Sequence, residues 1–259
     1  MNKDKILSKI MEKKEFSQLP LTDVEKVYSL FEKRQTSDED KIKLTRDLLR
    51  KVYFAFGSQK LLNSKNKDEE WVLKKHISTK ERFDFYEELY NKIFGKFKKK
   101  KISVIDLGAG VNGFSYNFME GYNVNYIAIE AVGQLSSLMN EYFKKNNFDA
   151  ESFHESLFNL EKISKIISSS SAPRILFLFK VIDSLEMLER NYSKKLLKKI
   201  IPLADLIVVS FATKSLISRK DFKVKRFWFE NFVKENFNLV DDFELGSERY
   251  LLIANKKTL

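Results

Sequence analysis

Three glycines and two carboxylates carry the clearest chemistry in this chain. Residues 104–113 read Val-Ile-Asp-Leu-Gly-Ala-Gly-Val-Asn-Gly, so Gly108, Gly110 and Gly113 fall at G-x-G-x-x-G spacing. Glycine lets the backbone adopt positive φ and approach a ligand closely. Asp106 ends the apolar run before the first glycine, and Glu130 ends the next such run, 24 residues further on. A carboxylate at Glu130 is suited to both hydroxyls of a ribose, whichever nucleotide-like cofactor carries it. Asp106 separates the possibilities. Facing a pyrophosphate, its charge is repulsive; facing an amino-acid ammonium, it is attractive. The loop alone leaves a dinucleotide and an amino-acid-bearing nucleoside both open.

Other chemistries are excluded or weakened by composition. The 259 residues include no Cys and two His, so disulfides, thiolate metal sites and a cysteine nucleophile are absent, and no metal is expected. Lys and Arg number 47 against 36 acidic residues, a net charge of +11, which points to a polyanionic partner, nucleic acid before membrane. Residues 214–226 hold six basic side chains (Lys214, Arg219, Lys220, Lys223, Lys225, Arg226) and one acid, a density that can neutralise phosphates. Phe211 and Trp228 flank this stretch and could stack on an extruded base, although Trp228, Phe229 and Phe232 together read better as helix core. The charged start of the chain and its short apolar runs predict a cytoplasmic protein without signal peptide or membrane span.

The elements that must position these groups divide near residues 75–100. Before that point the apolar spacing is helical throughout. Ile6 and Ile10 form one stripe; Val24, Val27, Tyr28 and Phe31 form a second, behind Thr22-Asp23 as N-cap; Leu44 to Phe56 form a third. Residues 1–75 therefore read as an all-helical N-terminal module with a net charge of +5. A helix over Thr79–Phe94 follows. From Ile102 short strands alternate with helices: Ile102–Leu107, Asn125–Glu130, Ala150–His154, Arg174–Lys180 and Leu206–Phe211. That alternation predicts a parallel sheet with helices on both faces. Phe237–Glu244 and Arg249–Asn255, joined by Leu245-Gly246-Ser247-Glu248, predict a closing antiparallel hairpin. A seven-stranded Rossmann-like α/β sheet ending this way resembles the class I S-adenosylmethionine-dependent methyltransferases. The second domain is then residues 76–259, and the hairpin with Asp106 favours S-adenosylmethionine over NAD.

A closer resemblance rests on five segments. His-Ile-Ser-Thr-Lys-Glu-Arg-Phe (76–83) is similar to the His-x-Ser-Thr-Arg-Glu-Arg-Leu of the aminoglycoside-resistance ribosomal RNA methyltransferases, and Asp-Leu-Gly-Ala-Gly-Val-Asn (106–112) to their glycine loop. Segments 178–186, 209–219 and Gly246-Ser247-Glu248 match further family motifs in the same order, so the resemblance spans about residues 76–253. Lys80, Ala109, Gly113, Ala212 and Ser218 depart from the family pattern. The resemblance implies methylation of guanine N7 in the 16S rRNA decoding site of the small ribosomal subunit, with aminoglycoside resistance as a potential consequence, by a monomer whose N-terminal helices dock on the subunit. It implies a cofactor set of Arg82 (on the cofactor carboxylate), Asp106, Gly108, Gly110, Asn112, Glu130 and Glu155 (on adenine). Lys180, Lys214, Ser215 and Arg219 form the substrate-facing set, with Glu186 beside Lys180. His76, Ser78 and Thr79 read as a helix cap. Three alternatives remain: a methyltransferase for another base of rRNA or tRNA, a NAD-dependent oxidoreductase, and a non-catalytic RNA-binding relative.

Overall fold

Side chains alternate across a strand, so a strand buried on both faces must feed two cores. In the computed structural model, which describes residues 1–56, 61, 67–97, 100–214 and 226–256, β1 (Lys101–Leu107) does this residue by residue. Ile102 and Val104 enter one hydrophobic cluster, Ile105 and Leu107 the other. The same alternation sorts Tyr126 from Ile127 on β2 (Asn123–Glu130), Phe177 from Leu176 on β4 (Arg174–Phe179) and Val208 from Val209 on β5 (Leu206–Ala212). With β3 (Ala150–His154), β6 (Asn238–Leu245) and β7 (Glu248–Ala254), the sheet runs in the order β3-β2-β1-β4-β5-β7-β6. Strands β1 to β5 are parallel, and β7 pairs antiparallel with both β5 and β6. This is the class I methyltransferase sheet expected from the sequence. The hairpin turns on Gly246, at φ +61°, the conformation a two-residue turn of this kind requires at its first central position.

Helices α8 (Leu160–Ser169), α9 (Ile182–Leu188), α10 (Tyr192–Ile200) and α11 (Phe227–Asn236) cover one face. The other carries α6 (Tyr86–Phe94), α7 (Gly133–Asn146) and the N-terminal helices α1 (Lys3–Met11), α2 (Leu21–Glu32), α3 (Asp38–Tyr53) and α4 (Glu69–Lys75). One continuous apolar cluster runs from Ile6 on α1 to Leu252 on β7, so the N-terminal helices share a core with the sheet.

Two local expectations are corrected. The single helix over Thr79–Phe94 is instead α5 (Ile77–Arg82), a 3₁₀ turn over Phe83–Phe85, and α6. Asp23 does not cap α2. Pro20 sets the start of that helix, and Asp23 sits buried in its first turn with partners elsewhere. Among the described residues, no helix is long and apolar enough to cross a membrane.

Candidate cofactor site

The glycine loop leaves β1 in a conformation that needs glycine twice. Gly108 and Gly110 have φ of +75° and +58°. A Cβ on Gly108 would sit 2.8 Å from Val181 Cγ2, and one on Gly110 would sit 3.1 Å from His76 Nε2. Gly113 serves packing instead, because Phe143 and Met139 of α7 fill the space a Cβ would take there. The loop is strapped to β2. The amides of Gly108 and Ala109 donate to the Ile129 carbonyl (2.9 and 3.2 Å). The Gly110 and Val132 amides donate to the two Glu130 carboxylate oxygens (2.7 and 2.8 Å). Burial raises Glu130 to a pKa of about 7, against these two bonds, which pull it down. A carboxylate has about four acceptor positions. The two amides use two, which leaves one per oxygen for a pair of hydroxyls.

From Asp106 a chain of buried polar groups leads across the sheet end. Asp106 Oδ2 accepts from Asn112 Nδ2 (2.8 Å) and Tyr126 Oη (2.6 Å). Burial holds its carboxyl above the ordinary range, although both bonds and the Arg82 charge oppose this. Asn112 Oδ1 accepts from Arg82 Nη1 (2.9 Å) and Tyr86 Oη (2.8 Å). Arg82 Nη2 donates to Ser78 Oγ (3.1 Å) and Glu248 Oε1 (3.0 Å), and its Nε donates to Tyr250 Oη (3.3 Å). Glu248 also accepts from Ser210 Oγ and holds Lys180 Nζ at 3.1 Å, while Lys180 Nζ donates to Glu81 Oε2 at 2.6 Å. Burial alone would raise Glu248, but the charges of Arg82 and Lys180 outweigh it and hold the carboxyl below its usual value. Lys180 takes φ +56°, rare outside glycine, with its amide on Ser210 (3.1 Å to Oγ). That kink ends β4 and turns the side chain into this cluster.

Part of this network lines an open cavity of about 1040 Å³, counted to its solvent mouth. Asp106, Gly108–Gly110, Asn112 and Glu130 form its floor; Arg82, Phe179 and Lys180 form one side. Ala131, Leu135, Leu157 and Phe158 add apolar surface to the lining. The N-terminal segment adds Asp23, Val52, Tyr53, Phe54 and Phe56 to the lining, and α9 adds Ser184, Leu185 and Leu188. His76, nine-tenths buried, faces the glycine loop, and among the described residues its Nδ1 has no hydrogen-bond partner. Burial first, then the charges of Arg82 and Lys180, lower its pKa to about 3, so the ring is neutral.

Of the residues the sequence singled out, Arg82, Asp106, Gly108, Gly110, Asn112, Glu130 and Lys180 come together here. Glu155 does not. Its carboxylate turns to Lys162 (2.5 Å) and to the Ser156 amide (3.0 Å), off the cavity. Lys214 is exposed just past β5, while Ser215 and Arg219 lie outside the described residues, as do Lys220, Lys223 and Lys225. Arg226 pairs with Asp183 (2.6 Å) over the Phe211 ring. Phe211 is buried against Phe229 and not open to a base, whereas Trp228 is 37% exposed. Glu186 accepts from the Asn191 and Ser193 amides (2.6 and 2.9 Å), which fixes the start of α10 and keeps it from a substrate-facing role. The cap reading of 76–79 gives way to a corner: Thr79 Oγ1 donates to the Leu73 carbonyl (2.6 Å), and Ser78 receives Arg82. Sequence reasoning missed Glu81, Ser210, Glu248, Asp23 and Tyr53. For Glu248 a signal existed, its place in the Gly246-Ser247-Glu248 motif at the head of β7.

No family model matches the chain, and no curated protein matches it in sequence. Its fold is nonetheless shared with solved methyltransferases over nearly its full length. The 16S rRNA methyltransferase RmtF, solved in complex with S-adenosyl-L-homocysteine, superposes with a TM-score of 0.82 at 20% identity, covering 99% of this chain and 100% of that one. The 16S rRNA methylase RmtB superposes at 0.79 and 20% identity, covering 99% of each chain. An rRNA methylase from Escherichia coli superposes at 0.77 and 19%, covering 98% of this chain and all of the other. The likeness therefore includes the N-terminal helices as well as the sheet.

Proposed function

We propose that this protein is an S-adenosylmethionine-dependent methyltransferase that acts on 16S rRNA, with N7 of a decoding-site guanine as its target and intact small subunits as its substrate. The observation that carries the reading is the cavity at the carboxyl ends of β1, β2 and β4, where Gly110, Glu130 and Asp106 converge. Its residues fit the cofactor. The glycine loop presents bare backbone to the cavity at Gly108 and Gly110, both of which line it, with Val181 and His76 packed close beside them. Glu130 keeps acceptors for a ribose, and Asp106 supplies negative charge for an ammonium. Arg82 commits four of its five N–H groups to protein partners, which leaves one Nη1 hydrogen for a carboxylate. Asp106 disfavours the pyrophosphate of NAD, which argues against the oxidoreductase alternative.

When bound, the cofactor supplies a methyl group activated by its sulfonium. Guanine N7 offers a free lone pair, so no proton must leave before attack and the chain needs no general base. Its work is positioning. Neutral His76 fits this role, since an imidazolium there would repel a sulfonium. Lys180, braced by Glu81 and Glu248 at the cavity side, and Lys214, Ser215 and Arg219, beyond β5, are the groups we assign to the RNA. Residues 1–75 act as the docking module and residues 76–259 as the catalytic domain of a cytoplasmic monomer that uses no metal. Calorimetry with S-adenosylhomocysteine and with NAD tests the cofactor assignment. Micromolar binding of the first and none of the second is expected; the reverse would overturn it.

A further inference from the structure

On the cofactor reading above, we propose that Asp23, from α2 of the N-terminal helices, recognises the 6-amino group of the adenine, so that these helices complete the cofactor site as well as serving docking. The group expected there from sequence, Glu155, is turned to Lys162 and away from the cavity. The acid that does line the cavity at this end is Asp23, which is 1% exposed. Its Oδ1 accepts from Ser156 Oγ, the residue after Glu155, and weakly from Thr22 Oγ1 (3.4 Å). Its Oδ2 accepts from Tyr53 Oη (2.7 Å). Three donors meet about four acceptor positions, which leaves one on Oδ2.

Two further features point that position at a base. Asp23, Tyr53 and Glu130, the acid assigned to the ribose, all line the same cavity, and the Glu130 charge reaches the Tyr53 phenol. The same cavity is lined by Ala131, Leu135, Leu157 and Phe158, apolar surface of the kind a flat ring packs on. Among the described residues Asp23 belongs to no ion pair: nearby Lys26 is bound to Glu189 (2.6 Å). A buried carboxylate short of a donor gains from a ligand N–H. Burial raises its pKa despite the bonds from Ser156, Tyr53 and Thr22, which agrees with that deficit.

The test compares S-adenosylhomocysteine with S-inosylhomocysteine, in which an oxo group replaces the amine, by calorimetry on the full chain. The wild type should prefer the adenosyl compound by about tenfold or more, the worth of one charge-assisted hydrogen bond. Asp23→Asn should abolish or invert the preference, because its amide can donate to the oxo group. Tyr53→Phe, which loosens the clasp but keeps the carboxylate, should weaken both ligands alike and retain the preference. Equal binding of both compounds by the wild type, or an unchanged preference in Asp23→Asn, would overturn the proposal while leaving the cofactor reading intact. Failure of the wild type to bind either compound would sink the cofactor reading itself. Should Asp23→Asn not fold, a cofactor analogue with a diazirine at the 6-amino position, photolysed on the wild type, decides the matter. Crosslinks to the peptide holding Asp23 support the proposal, and crosslinks confined to the Glu155 peptide overturn it.

Discussion

Glu130 makes cofactor affinity depend on pH in a direction the structure fixes. Burial lifts its pKa from 4.5 to about 7, so near pH 6 most of the ligand-free protein carries a protonated Glu130. Ribose hydroxyls are donors and favour the carboxylate. If only the ionised form binds, apparent affinity scales with its fraction. From pH 8 to pH 6 the dissociation constant of S-adenosylhomocysteine should rise about tenfold, and by pH 5 about a hundredfold. His76 contributes nothing in this window, because its pKa lies near 3. Stability moves the other way. A carboxyl whose folded pKa is raised binds more protons folded than unfolded between pH 4.5 and 7, so its contribution to stability falls as pH rises through that range. The limit is about 3 kcal/mol, at 1.36 kcal/mol per unit. Calorimetric titrations and urea melts of wild type and Glu130→Gln, from pH 5 to 8, isolate both effects as differences between the two proteins. An affinity that is flat across the range, or one whose slope survives in Glu130→Gln, would refute the assignment of Glu130 to the ribose.

Three further outcomes are expected. Glu248→Gln removes the buried acid that pairs with both Arg82 and Lys180, leaving Lys180 on the partly exposed Glu81, and urea denaturation at pH 7 should record a loss of about 3–5 kcal/mol. A loss below about 1 kcal/mol would mean the cluster is not a coupled unit. Gly110→Ala forces a Cβ into left-handed backbone facing His76, at a cost of about 1–2 kcal/mol, and should lower S-adenosylhomocysteine affinity at least tenfold, since it shifts the amide that holds Glu130. Affinity within twofold of wild type would show that the loop tolerates a side chain. Lys214→Ala should leave cofactor affinity unchanged and lower methyl transfer to small subunits roughly tenfold, the loss of one charge-assisted contact. Full transfer would remove Lys214 from the RNA-facing surface.

The sheet was legible in the sequence because each strand announces itself locally. Runs such as Ile175–Phe179 and Leu206–Val209 are bounded by polar residues, and Gly246 marks the hairpin. The floor of the cavity was legible for the same reason: Asp106, Gly108, Gly110 and Glu130 sit at strand ends, where spacing along the chain equals placement in space. What stayed hidden is long-range. Glu248 meets Arg82 across 166 residues, and Asp23 meets Ser156 across 133. An acid in the first turn of a helix reads as a cap by local rules, and only the docking of α2 against the loop after β3 gives Asp23 its other partner. Glu155 shows the converse. Its residue type and place after β3 suit an adenine amine, but the chain turns there and sends its carboxylate to Lys162, off the cavity lining.

The central claim is methyl transfer to 16S rRNA, and the most direct test supplies S-adenosylmethionine bearing a labelled methyl to the purified protein with intact small subunits, naked 16S rRNA and transfer RNA in parallel. Mass spectrometry of nuclease fragments then locates the label. N7-methylguanine in the decoding site of intact subunits, with little label elsewhere, is the expected result. Label on transfer RNA or on another base, or no label from a protein that binds the cofactor, would contradict it.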